Sequence, residues 1–253
     1  MAKDFIIEQL NKEFKGKESF SREILYDFYR QFEPDLKEAT FRWRIYHLKS
    51  KKIITAISRD LFTLSYKPNY IPEVGDLERK IYTKIEKHFP DLRQCIWSTK
   101  VVSEFMLHIP DKFITILQVE KNAIEPVYEF LKEQNIRNIY IQPDEKEIDR
   151  YIFETESALI LQSLISRAPI QHVRKTATIT IEKMIVDLYC DKKLFVAFQG
   201  NELVHIINNA YSRYTIDFTK LLGYAGRRRK EIEIMEFMSE KTDIPKSIFH
   251  DKN

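Results

Sequence analysis

Nine side chains between residues 37 and 59 have the types and spacing to recognise DNA: Lys37, Thr40, Arg42, Trp43, Arg44, His47, Lys51, Lys52 and Arg59. Arginine can bond guanine with two donors at once, threonine can meet a phosphate or a thymine methyl, and lysines such as Lys49, Lys51 and Lys52 suit phosphate. Phe41, Ile45 and Leu48 recur at i, i+4 and i+7, which predicts a helix with one apolar stripe and leaves Lys37, Thr40, Arg42, Trp43, Arg44 and His47 off that stripe. Arg42 and Arg44 are two positions apart, so on a helix they diverge by about 200° and cannot read the same groove edge. One is expected at the bases and the other at the backbone. The competing expectation is that Arg44 forms a structural ion pair and Trp43 packs between domains.

Other combinations could carry chemistry. Arg213, Arg227, Arg228, Arg229 and Lys230 form a second basic cluster, either a contact surface or a solvated face balanced by Glu231, Glu233 and Glu236. Glu104, Asp111, Glu120 and Lys121 approximate a PD-(D/E)xK nuclease, which needs an acid and then acid-x-lysine on a strand to hold a divalent metal. Glu120 and Lys121 are adjacent, so on a strand they would face opposite ways. Asp187 and Asp191 at i, i+4 could hold a cation, although pairing with Lys183 or Lys192 is the plainer role. The six histidines show no HxxxH or HExxH spacing, and Glu104 with His108 lacks a third ligand. Neither GxxxxGK[ST] nor GxGxxG occurs and only five glycines are present. No catalytic residue, metal site or cofactor is therefore expected.

The elements that must position these residues can be traced from periodicity. A helix over 4–14 ends at Gly16, a second is capped by Ser19 or Ser21 and carries Ile24, Leu25, Phe28 and Tyr29, and Pro34 separates it from the third, which starts near Leu36 or Lys37. The β-prone runs 53–57 and 61–65 flank a short turn at Ser58-Arg59-Asp60. Three helices and a hairpin predict a winged helix-turn-helix over residues 1–67. KPNYIPEVGD suggests a linker at 68–75. Beyond it a helix over 77–89, strands at 94–97 and 112–119, a helix over 124–131 and a strand at 138–141 suggest a parallel pair joined by a crossover helix. Residues 101–107 are ambiguous, and runs at 158–164 and 170–173 read as strands. From Thr180 the pattern turns helical, with Ile181, Met184, Ile185 and Leu188 on one face. The fold class is thus α/β (α+β): a winged helix, then a mixed domain over 76–240 with a helical C-terminal half, then a tail at 241–253 expected to fray.

Composition excludes several classes. With 43% hydrophobic residues in 253, a packed core is affordable, and two distant cysteines suggest neither a disulfide framework nor a thiol-rich zinc site. No apolar stretch approaches the roughly 18 residues of a membrane span, and the first residues lack a leader pattern, so a cytoplasmic protein with no membrane partner is expected. The net charge is only +3, but residues 36–67 carry eight basic side chains against two acidic ones. Such concentration favours phosphate.

The winged helix, the TITIEKMIVDLYCDKK element with Thr180, Glu182, Lys183 and Asp187, and the segment YAGRRRK together resemble the antitoxins of AbiE-type abortive-infection, or type IV toxin–antitoxin, systems, in a divergent branch. The resemblance spans most of residues 3–240. It implies a non-enzymatic transcriptional autorepressor that binds double-stranded DNA at its own promoter. It also implies that a second domain counters a nucleotidyltransferase-like toxin without the stable complex of ordinary antitoxins. The wing departs from that family's glycine-containing turn, having Ser58-Arg59-Asp60-Leu61-Phe62. Alternative readings are a winged-helix nuclease acting through residues 104–121, or a protein-interaction module.

Overall fold

The computed structural model describes residues 2–152 and 154–250. Helix α1 (Ala2–Phe14) stops where Gly16 takes φ +80°, a conformation that favours glycine. Strand β1 (Phe20–Ser21) leads into α2 (Arg22–Arg30), whose first turn is capped by Ser21, the Oγ accepting from the Ile24 N–H at 3.2 Å. Helix α3 (Glu38–Ser50) follows Pro34, and β2 (Thr55–Ala56) and β3 (Leu61–Thr63) form the wing. The sheet order is β1-β3-β2, all antiparallel. Leu10, Phe14, Leu25, Phe28, Phe41 and Leu48 bury together between the helices. The three helices and hairpin expected from the sequence are present, with shorter strands.

Helix α4 (Asp76–His88) is followed by β4 (Gln94–Ser98), a 3-10 segment over Thr99–Phe105 where the sequence was ambiguous, and β5 (Thr115–Val119). Then come α5 (Ile124–Glu133), β6 (Ile139–Ile141), the short α6 (Glu145–Glu147) and β7 (Leu159–Ser163). The sheet runs β4-β5-β7-β6, with β4 antiparallel to β5 and both β5 and β6 parallel to β7. The expected side-by-side pairing of β5 with β6 is therefore corrected: β7 lies between them. LILQS, whose first three residues are buried, takes the inner position, while half-buried IYI takes the edge.

One face of this sheet packs Leu117, Leu159 and Leu161 on Ile81, Ile85, Val127 and Leu131 of α4 and α5. The other packs Ile116 and Ile160 on the C-terminal helices. A hairpin of β8 (Ile170–Val173) and β9 (Thr176–Ile179) comes next; β9 is wholly buried and was not anticipated. Helix α7 (Ile181–Cys190) is capped by Thr180, as expected, but it is buried on nearly every side. Helices α8 (Asn201–Arg213), α9 (Phe218–Arg227), α10 (Glu231–Lys241) and α11 (Ser247–His250) complete the fold.

Two boundaries look different in three dimensions. The 68–75 segment has no regular structure, yet the Tyr70 hydroxyl donates to the Val101 carbonyl at 3.1 Å and its ring packs on Phe105 and Tyr214. It is a strap, not a tether. The wing residues Ile57 and Leu61 share a core with the C-terminal helices. The expected fraying of the tail is corrected through residue 249, because Ile244, Ile248 and Phe249 are buried and Phe249 packs edge-on against Phe218 at 5.6 Å. Residues 251–253 of that expectation lie outside the described residues.

Candidate nucleic-acid interface

The apolar stripe of α3 determines what its other side shows. With Phe41 and Leu48 buried, the outward ridge carries Ala39, Arg42, Trp43, Tyr46, Lys49 and Ser50. Trp43 is 52% exposed and Tyr46 71%, an unusual display of aromatic surface on one short helix. Tyr46 was not singled out from the sequence, although its place two positions after Arg44 and three after Trp43 puts it at the centre of the ridge. Thr40 and Lys37 are exposed at the N-terminal end of the helix, where Lys37 is the cap residue.

The expected binding residues divide onto two flanks of this ridge. Between α3 and the wing lies a groove of about 380 Å³ lined by Arg22, Arg42, Lys49 and Arg59, with Asp217 and Thr219 at its C-terminal wall. Arg22 joins this group from the start of α2, a contribution no linear spacing could reveal. Arg42 is 74% exposed and pairs with Glu38 at 3.2 Å, and Arg22 bonds the same Glu38 oxygen. The hydrogen bond from Arg22, reinforced by Arg42, holds the Glu38 carboxyl below its ordinary range.

On the other flank, Trp43, Arg44, His47 and Lys51 line a groove of about 280 Å³ against α1. Trp43 stacks on His47 with ring centroids 5.3 Å apart. Arg44 does not face solvent as a reader of bases: one guanidinium nitrogen donates to both Glu33 oxygens at 2.6 and 2.7 Å, the group lies 5.0 Å over the Tyr29 ring, and the side chain is 18% exposed. That geometry matches the ion-pair alternative raised for Arg44, which ties α3 to Tyr29 of α2 and to the turn that follows it. Lys52 adopts φ +56° just past α3, its ammonium 4.9 Å over Tyr66.

The wing turn is held on both sides. Ile57 N–H donates to the Leu61 carbonyl at 2.9 Å across the turn, and Phe218 N–H donates to the Ile57 carbonyl at 2.9 Å. The Arg59 N–H donates to Thr219 Oγ1 at 2.9 Å while its side chain stays exposed. The wing turn contains no glycine and is aimed by these bonds to α9.

The second basic cluster does not act as one patch. Arg213 donates to the Glu104 carbonyl at 2.7 Å, and Arg227 Nε to Ser166 Oγ at 3.1 Å. Lys230 pairs with Glu233 at 2.7 Å, as a solvated face would, and Arg229 ends α9 at φ +56°. Arg228 turns inward, donating to Asp187 Oδ1 at 3.1 Å and Asp191 Oδ1 at 2.6 Å. Burial works against its charge, but Asp191 and Asp187 more than restore it, raising its pKa. Asp187 also accepts from the Tyr224 hydroxyl at 2.7 Å and from Lys183. Lys183, Asp187, Tyr224 and Arg228 therefore clamp α7 to α9, which gives the TITIEKMIVDLYCDKK and YAGRRRK segments a structural role.

A family model described as a family of unknown function, DUF6577, matches residues 40–244. The chain belongs to the DUF6577 family. No curated protein matches it. The DUF6577 match takes in the α3 ridge from Thr40 onward, the wing, both faces of the main sheet and the α7–α9 clamp.

In this DUF6577 chain the nuclease-like residues do not converge. Asp111, Glu120 and Lys121 are exposed, and Lys121 has passed from β5 into a 3-10 turn. Glu104 accepts from the Tyr214 hydroxyl at 3.4 Å, while His108 pairs with Glu202 at 3.3 Å. Among the described residues, no group of three His, Cys, Asp or Glu side chains could hold a metal ion. No described helix is long and apolar enough to cross a membrane.

Proposed function

We propose that this protein binds double-stranded DNA through α3 and its wing, represses transcription from its own promoter, and acts as the non-enzymatic antitoxin of a type IV system. The observation that carries the DNA reading is the groove lined by Arg22, Arg42, Lys49 and Arg59 beside an exposed ridge bearing Trp43 and Tyr46. A helix of this size enters a major groove, and cations flanking it would straddle phosphates. The antitoxin role is supported by the likeness of the sequence to AbiE-type antitoxins, with a nucleotidyltransferase-like toxin as functional partner.

Fluorescence anisotropy with the DNA upstream of the gene, across a salt series, tests the DNA reading. Tight promoter binding is expected, weaker binding to scrambled DNA, and log K falling linearly with log salt by roughly 0.9 per phosphate contact. Equal affinity for both duplexes, or no change in the Arg42→Ala, Lys49→Ala, Arg59→Ala triple variant, would overturn it. For the antitoxin role, co-expression should relieve growth arrest caused by a nucleotidyltransferase encoded beside the gene. Continued arrest at full expression would refute it.

A further inference from the structure

A large cleft lies remote from α3. It has a volume of about 810 Å³ and opens at the carboxyl ends of β5, β6 and β7, on the sheet side that faces α7. Parallel strands present ligand sites at that edge, and the volume falls within the range of small-molecule pockets. Gln118 and Gln162 are register partners on adjacent parallel strands, so they share one face of the sheet. Both line the cleft.

Gln118 carries a specific signal. It is 1% exposed, and its Oε1 is buried with no hydrogen-bond donor among the described residues. A buried amide oxygen is costly to leave unpaired, so a bound group that supplies an N–H or O–H would relieve a standing penalty. Across the cleft the charges are mostly matched within the protein: Arg228 with Asp191, Lys193 with Glu145 at 3.3 Å, and Lys230 with Glu233. Lys192 differs. Its ammonium lies 5.3 Å over the Tyr189 ring and has no carboxylate partner among the described residues.

We propose that this cleft binds a nucleoside phosphate, the base on the Gln118–Gln162 floor and the phosphate at Lys192. A glutamine amide presents an acceptor and a donor side by side, which matches the paired donor and acceptor of a base edge. Gln118 Oε1 accepts from an exocyclic amine or ring N–H, and the lysine supplies a point charge to phosphate. The floor is rigid because it belongs to the central sheet, and Arg228 is held in the wall by two carboxylates. This site does not depend on DNA binding by α3.

Isothermal titration calorimetry of the full chain tests it with the four ribonucleoside monophosphates and triphosphates, the free nucleosides and inorganic phosphate. At least one nucleotide should bind saturably at one site, and at least tenfold more tightly than its nucleoside or phosphate alone. Gln118→Leu and Lys192→Glu should each weaken it at least tenfold; Lys192 is exposed, so its replacement leaves the fold intact even if the buried substitution does not. Absence of binding at millimolar nucleotide, equal binding of inorganic phosphate, or undiminished affinity in Lys192→Glu would each overturn the proposal.

Discussion

Arg44 grips both carboxylate oxygens of Glu33 through one guanidinium nitrogen, at 2.6 and 2.7 Å, and so fixes α3 to the end of α2. Two residues earlier, the Arg42 side chain is 74% exposed. The pair therefore has separable phenotypes. Arg44→Ala should destabilise the fold by about 1–2 kcal/mol through lost charged hydrogen bonds and ring stacking. Arg42→Ala should leave the melting temperature unchanged and weaken promoter binding by about 1–3 kcal/mol if it reads a base. Thermal melts and anisotropy on both variants check this, and an Arg42→Ala protein that unfolds early would contradict the assignment.

Glu38 sits between Arg22 and Arg42 and accepts from both, so on the proposed function it would compete with DNA phosphate for them. Its carboxyl is held below the ordinary range by the Arg22 hydrogen bond, so it stays charged throughout mildly acidic conditions. Stability contributed by this group is present above the unfolded glutamate pKa and is lost as pH falls through the lower folded value. Acidification to pH 5 should then fail to strengthen DNA binding through Glu38, whereas Glu38→Gln should strengthen it and steepen the salt dependence. A salt series on the variant decides the matter.

Lys183 and Asp187 are joined one turn apart on α7 with essentially no exposure to water. Removal of one partner leaves a buried charge, so Lys183→Met should cost about 3–5 kcal/mol in urea unfolding. A Lys183→Met, Asp187→Leu double variant should recover less than a simple pair would, because Arg228 and Tyr224 also rely on Asp187. Full recovery of wild-type stability in the double variant would indicate that Arg228 and Tyr224 do not rely on Asp187.

Burial pushes the Cys95 thiol up to about 12 and the Cys190 thiol up to about 11. Both should resist Ellman's reagent at pH 8 until the chain is unfolded in guanidinium, since the thiolate is the reactive form. An unfolded thiol ionises near pH 8.5, so stability is full below that value and falls as pH rises towards these folded values, by up to about 1.4 kcal/mol per pH unit per thiol. Urea titrations at pH 8 and pH 10.5 should show the loss, and Cys95→Ala should flatten it.

Local order was legible along the chain wherever a short-range rule governs it. The Phe41, Ile45, Leu48 stripe defines α3, Ser21 and Thr180 cap their helices through their own hydroxyls, and Gly16 ends α1 by its positive φ. The basic character of residues 36–67 and the mixed α/β class follow from the same linear information. Tertiary packing decided which charges face water. Arg44 and Arg228 are arginines like Arg42 and Arg59, yet Glu33, Asp187 and Asp191 draw the first two inward, and those partners lie 11, 41 and 37 residues away. The insertion of β7 between β5 and β6, and the cleft that follows from it, also depend on which strand best buries both faces. Ion-pair choice and strand order are competitions among distant segments, settled by desolvation and packing when the chain closes on itself.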